Sequence, residues 1–294
     1  MKLNRKIVGC VSMSVLSIGS GGAIAGGGEP CPDCVIEVHA IADEALFALL
    51  GSGTEDYIRD VIEGMDAAWS MPTADGGMGV GVVLSEFTVY EKSDPWAVST
   101  NTNVLLPNVQ EYVSSTIPMN ADGQDVVLMF SGLDFDGSTT GLAYVGVLCR
   151  SFSVGVLESS PDNLAWAISG ANHQLGHIVG ARHDGSGNSC QQGPYIMSPF
   201  SNPLSPPTTF STCTVDYFAD LITNSSIDIP ACLAAPAQAC PADLTGDGVL
   251  NFFDVSAFLG AFAQGDLIAD FTGDGQFNFF DVSAFLQAFA AGCP

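Results

Sequence analysis

Between residues 35 and 178 the chain switches repeatedly between two hydrophobic periods. Val35 to Ala42 alternates and is rich in β-branched residues, which predicts a first strand, while Glu55 to Trp69 carries apolar residues at helical spacing ahead of a loop from Met71 to Gly79. Val80 to Tyr90 predicts a second strand and Leu105 to Ser115 a helix. Asp125 to Ser131, with Val-Val-Leu-Met-Phe unbroken at its centre, predicts a buried strand. Leu142 to Cys149 and Ser153 to Leu157 follow as two short strands with a turn at Arg150. Strands alternating with helices imply an α/β layer structure.

The next segment is punctuated as a helix, with Ser160 as N-cap, Pro161 at the first position and Asp162 in the first turn. Leu164, Ile168, Ala171, Leu175 and Ile178 recur at helical spacing, so one face packs on the sheet and the adjacent face presents His173 and His177. Residues at i and i+4 of a helix stand about 5 to 6 Å apart, the spacing a metal ion needs. Gly180 can take a left-handed conformation that ends the helix and turns the chain back, so that His183 supplies a third ligand. Three neutral imidazoles with one open position describe a catalytic zinc site. The chain has 4 histidines, and only His39 lies outside this stretch; it sits alone in the first strand and reads as a packed or surface histidine.

Composition narrows the partners. Seven Lys and Arg stand against 32 Asp and Glu, and Lys2, Arg5 and Lys6 are three of the seven, so beyond residue 6 the formal charge is −28. Such a chain repels nucleic acids and anionic membranes and suits divalent cations. Residues 1–25 combine that basic start, an apolar run from Ile7 to Ile18 and an Ala23-Ile24-Ala25 cleavage site, which reads as a secretory signal peptide. The run is too short to span a bilayer, and no later segment is long and apolar enough. Removal of Cys10 with the signal leaves eight of the 9 cysteines, and an even number in an exported chain favours disulfides. Residues 26–34 form a short linker ending in Cys31-Pro32-Asp33-Cys34, read as structural disulfide cysteines.

The run His173-Gln-Leu-Gly-His177-Ile-Val-Gly180-Ala-Arg-His183 resembles the metzincin zinc metalloproteases, H-E-x-x-H-x-x-G-x-x-H followed by a methionine turn. Met197, 14 residues past His183, stands where that turn belongs. Asp184, Cys149, Cys190 and Phe210-Ser211-Thr212-Cys213 make the likeness closest to the adamalysin (reprolysin) branch. Over residues 35–233 the resemblance implies a twisted, mostly parallel five-stranded sheet above an active-site helix. It also implies a peptide added along the edge strand Leu142 to Val147, and disulfides Cys190–Cys213 and Cys149–Cys232. The chain departs from the pattern at one position: Gln174 replaces the glutamate that acts as general base. A glutamine can orient water but has no useful basicity.

After an Ala/Pro linker at 234–239, residues 240–294 repeat with a period of 27. Asp243, Thr245, Asp247, Val249, Asn251 and Asp254 occupy the ligand positions of an EF-hand-type loop, and Asp270, Thr272, Asp274, Gln276, Asn278 and Asp281 repeat them, predicting two calcium ions. Amphipathic helices at Val255 to Phe262 and Val282 to Ala290 follow, with Phe258, Phe262, Phe285 and Phe289 spaced to meet. Loop and helix units without an entering helix resemble a type I dockerin, a small all-α calcium-folded module, which implies a cohesin-like or cell-surface anchoring partner. Cys240 and Cys293 bracket the repeat as a disulfide pair.

Three functions are compatible with these residues. The chain is a secreted zinc endopeptidase acting on proteins, a zinc-bearing pseudoprotease that binds peptides without cutting them, or a cargo domain carried by its dockerin-like module.

Overall fold

The computed structural model describes residues 3–6, 34–119, 124–200, 202–224, 229–233, 242–245, 249–265, 267–272 and 276–292. Cys31, Asp247, Asp274, Cys240 and Cys293 lie outside these residues. The chain divides into two compact units, residues 1–234 and 235–294.

The first unit is built on strands β1 (Leu3–Lys6), β2 (Val35–Ala42), β3 (Gly81–Val89), β4 (Val126–Ser131), β5 (Gly141–Ala143) and β6 (Val154–Glu158), in the order β1-β3-β2-β4-β6-β5. β3, β2, β4 and β6 are parallel, and β5 closes one edge antiparallel to β6. These are the five strands expected. The segment read as part of the export signal adds a sixth, with Leu3 opposite Val89 and Lys6 opposite Glu86 in an antiparallel pair.

Helices α1 (Glu44–Leu50), α2 (Thr54–Trp69), α3 (Thr102–Thr116), α4 (Leu164–Ile178), α5 (Thr212–Asn224) and α6 (Ile229–Cys232) cover the sheet. Ile36, Val38 and Ala40 of β2 and Val126, Leu128 and Phe130 of β4 face a core shared with α2 and α4. Ile41, Val127 and Met129 face the opposite core, filled from α3 by Leu105, Leu106, Val109 and Val113. Every residue of β4 is buried, which is why its sequence does not alternate. Trp69 closes α2 against the edges of Phe210 and Phe218, and its Nε1 donates to Asn172 Oδ1 of α4 at 3.0 Å.

Two boundaries and one helix differ from the sequence expectation. The strand expected over Leu142 to Cys149 stops at Ala143, because the amides of Gly146, Val147 and Leu148 bond carbonyls at the end of α4 instead of β6. The cap of α4 is Asn163, whose Oδ1 accepts from the Trp166 amide at 3.1 Å, whereas Ser160, Pro161 and Asp162 form the turn before it. α1 was not anticipated; Asp43 caps it through Leu46 N at 2.7 Å while also accepting from Gly132 N across the strand ends. Cys149 is bonded to Cys232 and Cys190 to Cys213, and Cys34 is also disulfide-bonded.

In the second unit, α7 (Phe252–Gln264) and α8 (Phe279–Ala291) each start three residues before the apolar pattern suggests. The reason is a capping box repeated in both halves: Asn251 with Asp254, and Asn278 with Asp281. Phe258 and Phe285 stack at 4.2 Å in the middle of this unit, each flanked by Phe262 or Phe289.

Candidate metal centre

α4 carries Ala167, Ala171, Leu175 and Ile178 into the core, which turns His173 and His177 toward one side. The helix ends at Val179, and Gly180 follows with φ +108°, a conformation L side chains rarely adopt. Ala181 N then bonds back to Gly176 O at 2.9 Å, reversing the chain. This reversal brings His183 Nε2 to 3.1 Å from His173 Nε2 and 3.2 Å from His177 Nε2. The three histidines singled out by spacing therefore form one cluster, and His39 is not part of it. His39 is buried in β2, with Nε2 2.9 Å from Thr88 Oγ1 and Nδ1 3.4 Å from Glu86 Oε2.

The far side of each helical ring fixes its tautomer. His173 Nδ1 lies 2.6 Å from the Ile196 carbonyl and His177 Nδ1 2.8 Å from the Ala181 carbonyl. A carbonyl can only accept, so each Nδ1 carries hydrogen and each neutral Nε2 points a lone pair at the others. Burial, with neighbouring His177 adding to it, pushes His173 down to about 3, and burial lowers His177 and His183 too. One ring hydrogen on His183 could satisfy at most one of the two facing lone pairs. A divalent ion satisfies all three: nitrogens held tetrahedrally at about 2.0–2.1 Å from zinc are roughly 3.3 Å apart, close to the separations found.

The polar residues around the cluster brace its third member. Asp184 is fully buried; its amide donates to Met197 O at 2.9 Å, and Oδ1 accepts from Ser211 Oγ at 3.0 Å and Thr214 Oγ1 at 3.1 Å. Asn188 Nδ2 donates to His183 O at 3.0 Å, and its Oδ1 accepts from the amides of Gly185 and Cys190. Met197 is buried beneath α4 at Gly176. No local pattern gives Asn188, Ser211 or Thr214 a role; the only signal in the sequence is their nearness to His183 and Cys213.

Gln174 sits one residue past His173 and is buried, and its Oε1 has no hydrogen-bond partner among the described residues. Its Nε2 lies against Gly141 of β5, where an added Cβ would be 2.7 Å away. β5 ends the strand order, and among the described residues no strand pairs with its outer edge. Glu158 N bonds Thr140 O and Tyr144 N bonds Val154 O, so residues 140, 142 and 144 point their amides and carbonyls inward, leaving those of Gly141 and Ala143 to face outward.

The profile of the reprolysin (M12B) family zinc metalloproteases matches residues 35–236. The chain belongs to this family. It is 25% identical over 199 residues to the zinc metalloproteinase-disintegrin-like proteins kaouthiagin-like and atrase-B of Naja atra, covering 67% of this chain and 32% of each of those. It is 26% identical over 204 residues to the snake venom metalloproteinase acutolysin-C of Deinagkistrodon acutus, covering 69% of this chain and 46% of that protein. The chain thus spans a third to a half of the length of these relatives. A solved chaperone–substrate complex aligns with TM-score 0.44 and 13% identity over 69% of this chain and 36% of that one, a likeness too distant to carry an inference. Among the described residues no helix is long and apolar enough to cross a membrane.

The calcium candidates of the second unit repeat one arrangement. Thr245 Oγ1 donates to Asp254 Oδ1 at 2.8 Å and Asn251 N to Asp254 Oδ2 at 2.9 Å; Thr272, Asn278 and Asp281 do the same at 2.8 Å each. Asn251 Nδ2 reaches Val249 O and Asn278 Nδ2 reaches Gln276 O.

Proposed function

We propose that the chain is an exported reprolysin-type zinc protein that receives protein substrates as extended peptides along β5, with His173, His177 and His183 as the zinc ligands. The observation that carries this reading is the convergence of three Nε2 atoms, with the tautomers of His173 and His177 set by the carbonyls of Ile196 and Ala181. A bound zinc ion would polarise a peptide carbonyl and make a coordinated water more acidic. The chain itself supplies the open backbone edge at Gly141 and Ala143, onto which a peptide adds as a further strand. Met197 provides the apolar floor, and residues 1–25 the export signal.

Gln174 decides how much hydrolysis follows. Its amide can hold a water molecule or a peptide carbonyl but cannot accept the proton that a glutamate would carry to the departing amine. Loss of such a group typically slows reaction by roughly 10² to 10⁴-fold. A second reading rests on that residue: the domain binds peptides without cutting them, a pseudoprotease. The C-terminal repeat, by its likeness to a dockerin, would fold around two calcium ions and anchor the protein to a cohesin-like or cell-surface partner.

The test is cleavage of casein or gelatin by the purified protein and by Gln174→Glu, with zinc measured in both. The expected result is one zinc ion per chain in each and cleavage by the variant faster by about 10² to 10⁴-fold. Equal rates would refute the argument about the base; absence of zinc from both would refute the ligand assignment.

A further inference from the structure

The end of α4 that carries His177 is capped by a segment from across the domain. The last carbonyls of a helix lack their usual partner four residues on and are satisfied by the turn that follows or from outside; Gly180 N already supplies one bond to His177 O at 2.8 Å. Gly146 N donates to His177 O at 3.0 Å, and Val147 N and Leu148 N both donate to Ile178 O, at 2.9 and 3.0 Å. Gly146, with φ +71°, and Gly180 meet backbone to backbone: a Cβ on Gly180 would stand 3.4 Å from Gly146 Cα.

The next residue is Cys149, the one non-glycine residue among those described with a positive φ, +62°. A side chain holds that conformation only where the surroundings impose it. Here the surroundings are a covalent bond to Cys232, on α6, whose neighbour Leu233 is fully buried and accepts from Val35 N at 2.8 Å. The tether is therefore fixed to β2 at one end and to the capping segment at the other.

We propose that the Cys149–Cys232 disulfide holds the amides of residues 146–148 on the end of α4, and that opening it loosens the metal centre before the fold is lost. The proposal rests on the three-histidine metal site above. An external dithiol would open the bond by exchange: its thiolate attacks one sulfur, its second thiol releases it, and two cysteine thiols form as the dithiol becomes a cyclic disulfide. Cys149 can then leave the left-handed region, and the amides at 146–148 part from His177 O and Ile178 O.

The experiment compares the zinc-loaded full chain with the double variant Cys149→Ala/Cys232→Ala. It measures zinc transfer to a chromogenic chelator together with hydrogen exchange at the amides of 146–148 and of the sheet residues Leu128 and Val156. Transfer should be about 10- to 100-fold faster in the variant, matching the factor by which metal affinity falls when groups that orient metal ligands are removed. Exchange at 146–148 should rise while the sheet amides keep their protection. Unchanged exchange at 146–148 overturns the proposal, as does increased exchange there with zinc transfer within about twofold of wild type. If the variant does not fold, the native protein is followed in time under dithiothreitol. Zinc release and exchange at 146–148 should then precede loss of sheet protection, and simultaneous loss overturns the proposal. A wild-type protein that takes up no zinc instead defeats the metal assignment, and amide exchange alone then decides the clamp.

Discussion

Met197 lies directly on the bare backbone of Gly176: a Cβ added to that glycine would stand 2.3 Å from the Met197 sulfur. Gly176 is the third residue after His173 and precedes His177, so the contact sets the height of α4 above Met197.

Gly176→Ala therefore reverses the usual sign of a helical glycine substitution. Helix propensity alone favours alanine by roughly 0.5–1 kcal/mol. Overpacking a buried core typically costs about 1–3 kcal/mol, and Met197 is fully buried. Thermal unfolding should show a melting temperature lowered by several degrees; a raised one would mean that Met197 moves aside freely.

The start of α4 offers a paired test. Asn163→Ala removes the side chain that accepts from Trp166 N and donates to Pro203 O, and should cost about 0.5–2 kcal/mol in urea unfolding. Ser160→Ala should stay within about 0.5 kcal/mol, since its backbone carbonyl is what accepts from Asn163 N. The opposite ranking would restore Ser160 as the cap.

Stability should depend on pH through Asp125. Burial lifts this carboxyl to about 7, with Glu37 nearby adding to the rise, although the Glu37 amide donates to its Oδ2 at 2.9 Å. The native state thus retains a proton that the unfolded chain releases above about pH 4, and stability falls as pH rises from there through about 7. Asp125→Asn removes this dependence, so wild type should lose up to ~1.4 kcal/mol per pH unit relative to the variant across that window. Parallel curves for the two proteins between pH 4.5 and 8 would reject this assignment.

For the C-terminal unit, millimolar calcium should raise its melting temperature in the intact protein, because an ion bound only by the folded loops stabilises them. Asp254→Ala together with Asp281→Ala should abolish the rise, since each carboxylate gathers its loop through Thr245 and Asn251 or through Thr272 and Asn278. Identical melting with and without calcium would dismiss both loops as ion sites.

Local chemistry was enough to locate much of this protein. β2 spans the residues its alternation predicts, and β4 is buried on both faces as an unbroken apolar run requires. His173, His177, Gly180 and His183 needed only helical geometry and one glycine turn, because the candidate metal site is encoded within twelve residues of chain. The 27-residue repeat likewise announced the two helices of the second unit, though not the Asn and Asp caps that start each three residues earlier.

Tertiary structure decided what depends on partners distant in sequence. A strand ends where its amides find other acceptors, so the stop at Ala143 came from helix carbonyls some 30 residues on. Asp43 caps α1 while bonding Gly132, and Asp184 collects Ser211 and Thr214, contacts that no local period contains. The sequence by itself determined the identity and spacing of the histidines. The fold determined that their Nε2 atoms meet, because the carbonyls of Ile196 and Ala181 and the turn at Gly180 orient rings whose spacing alone leaves them free to rotate.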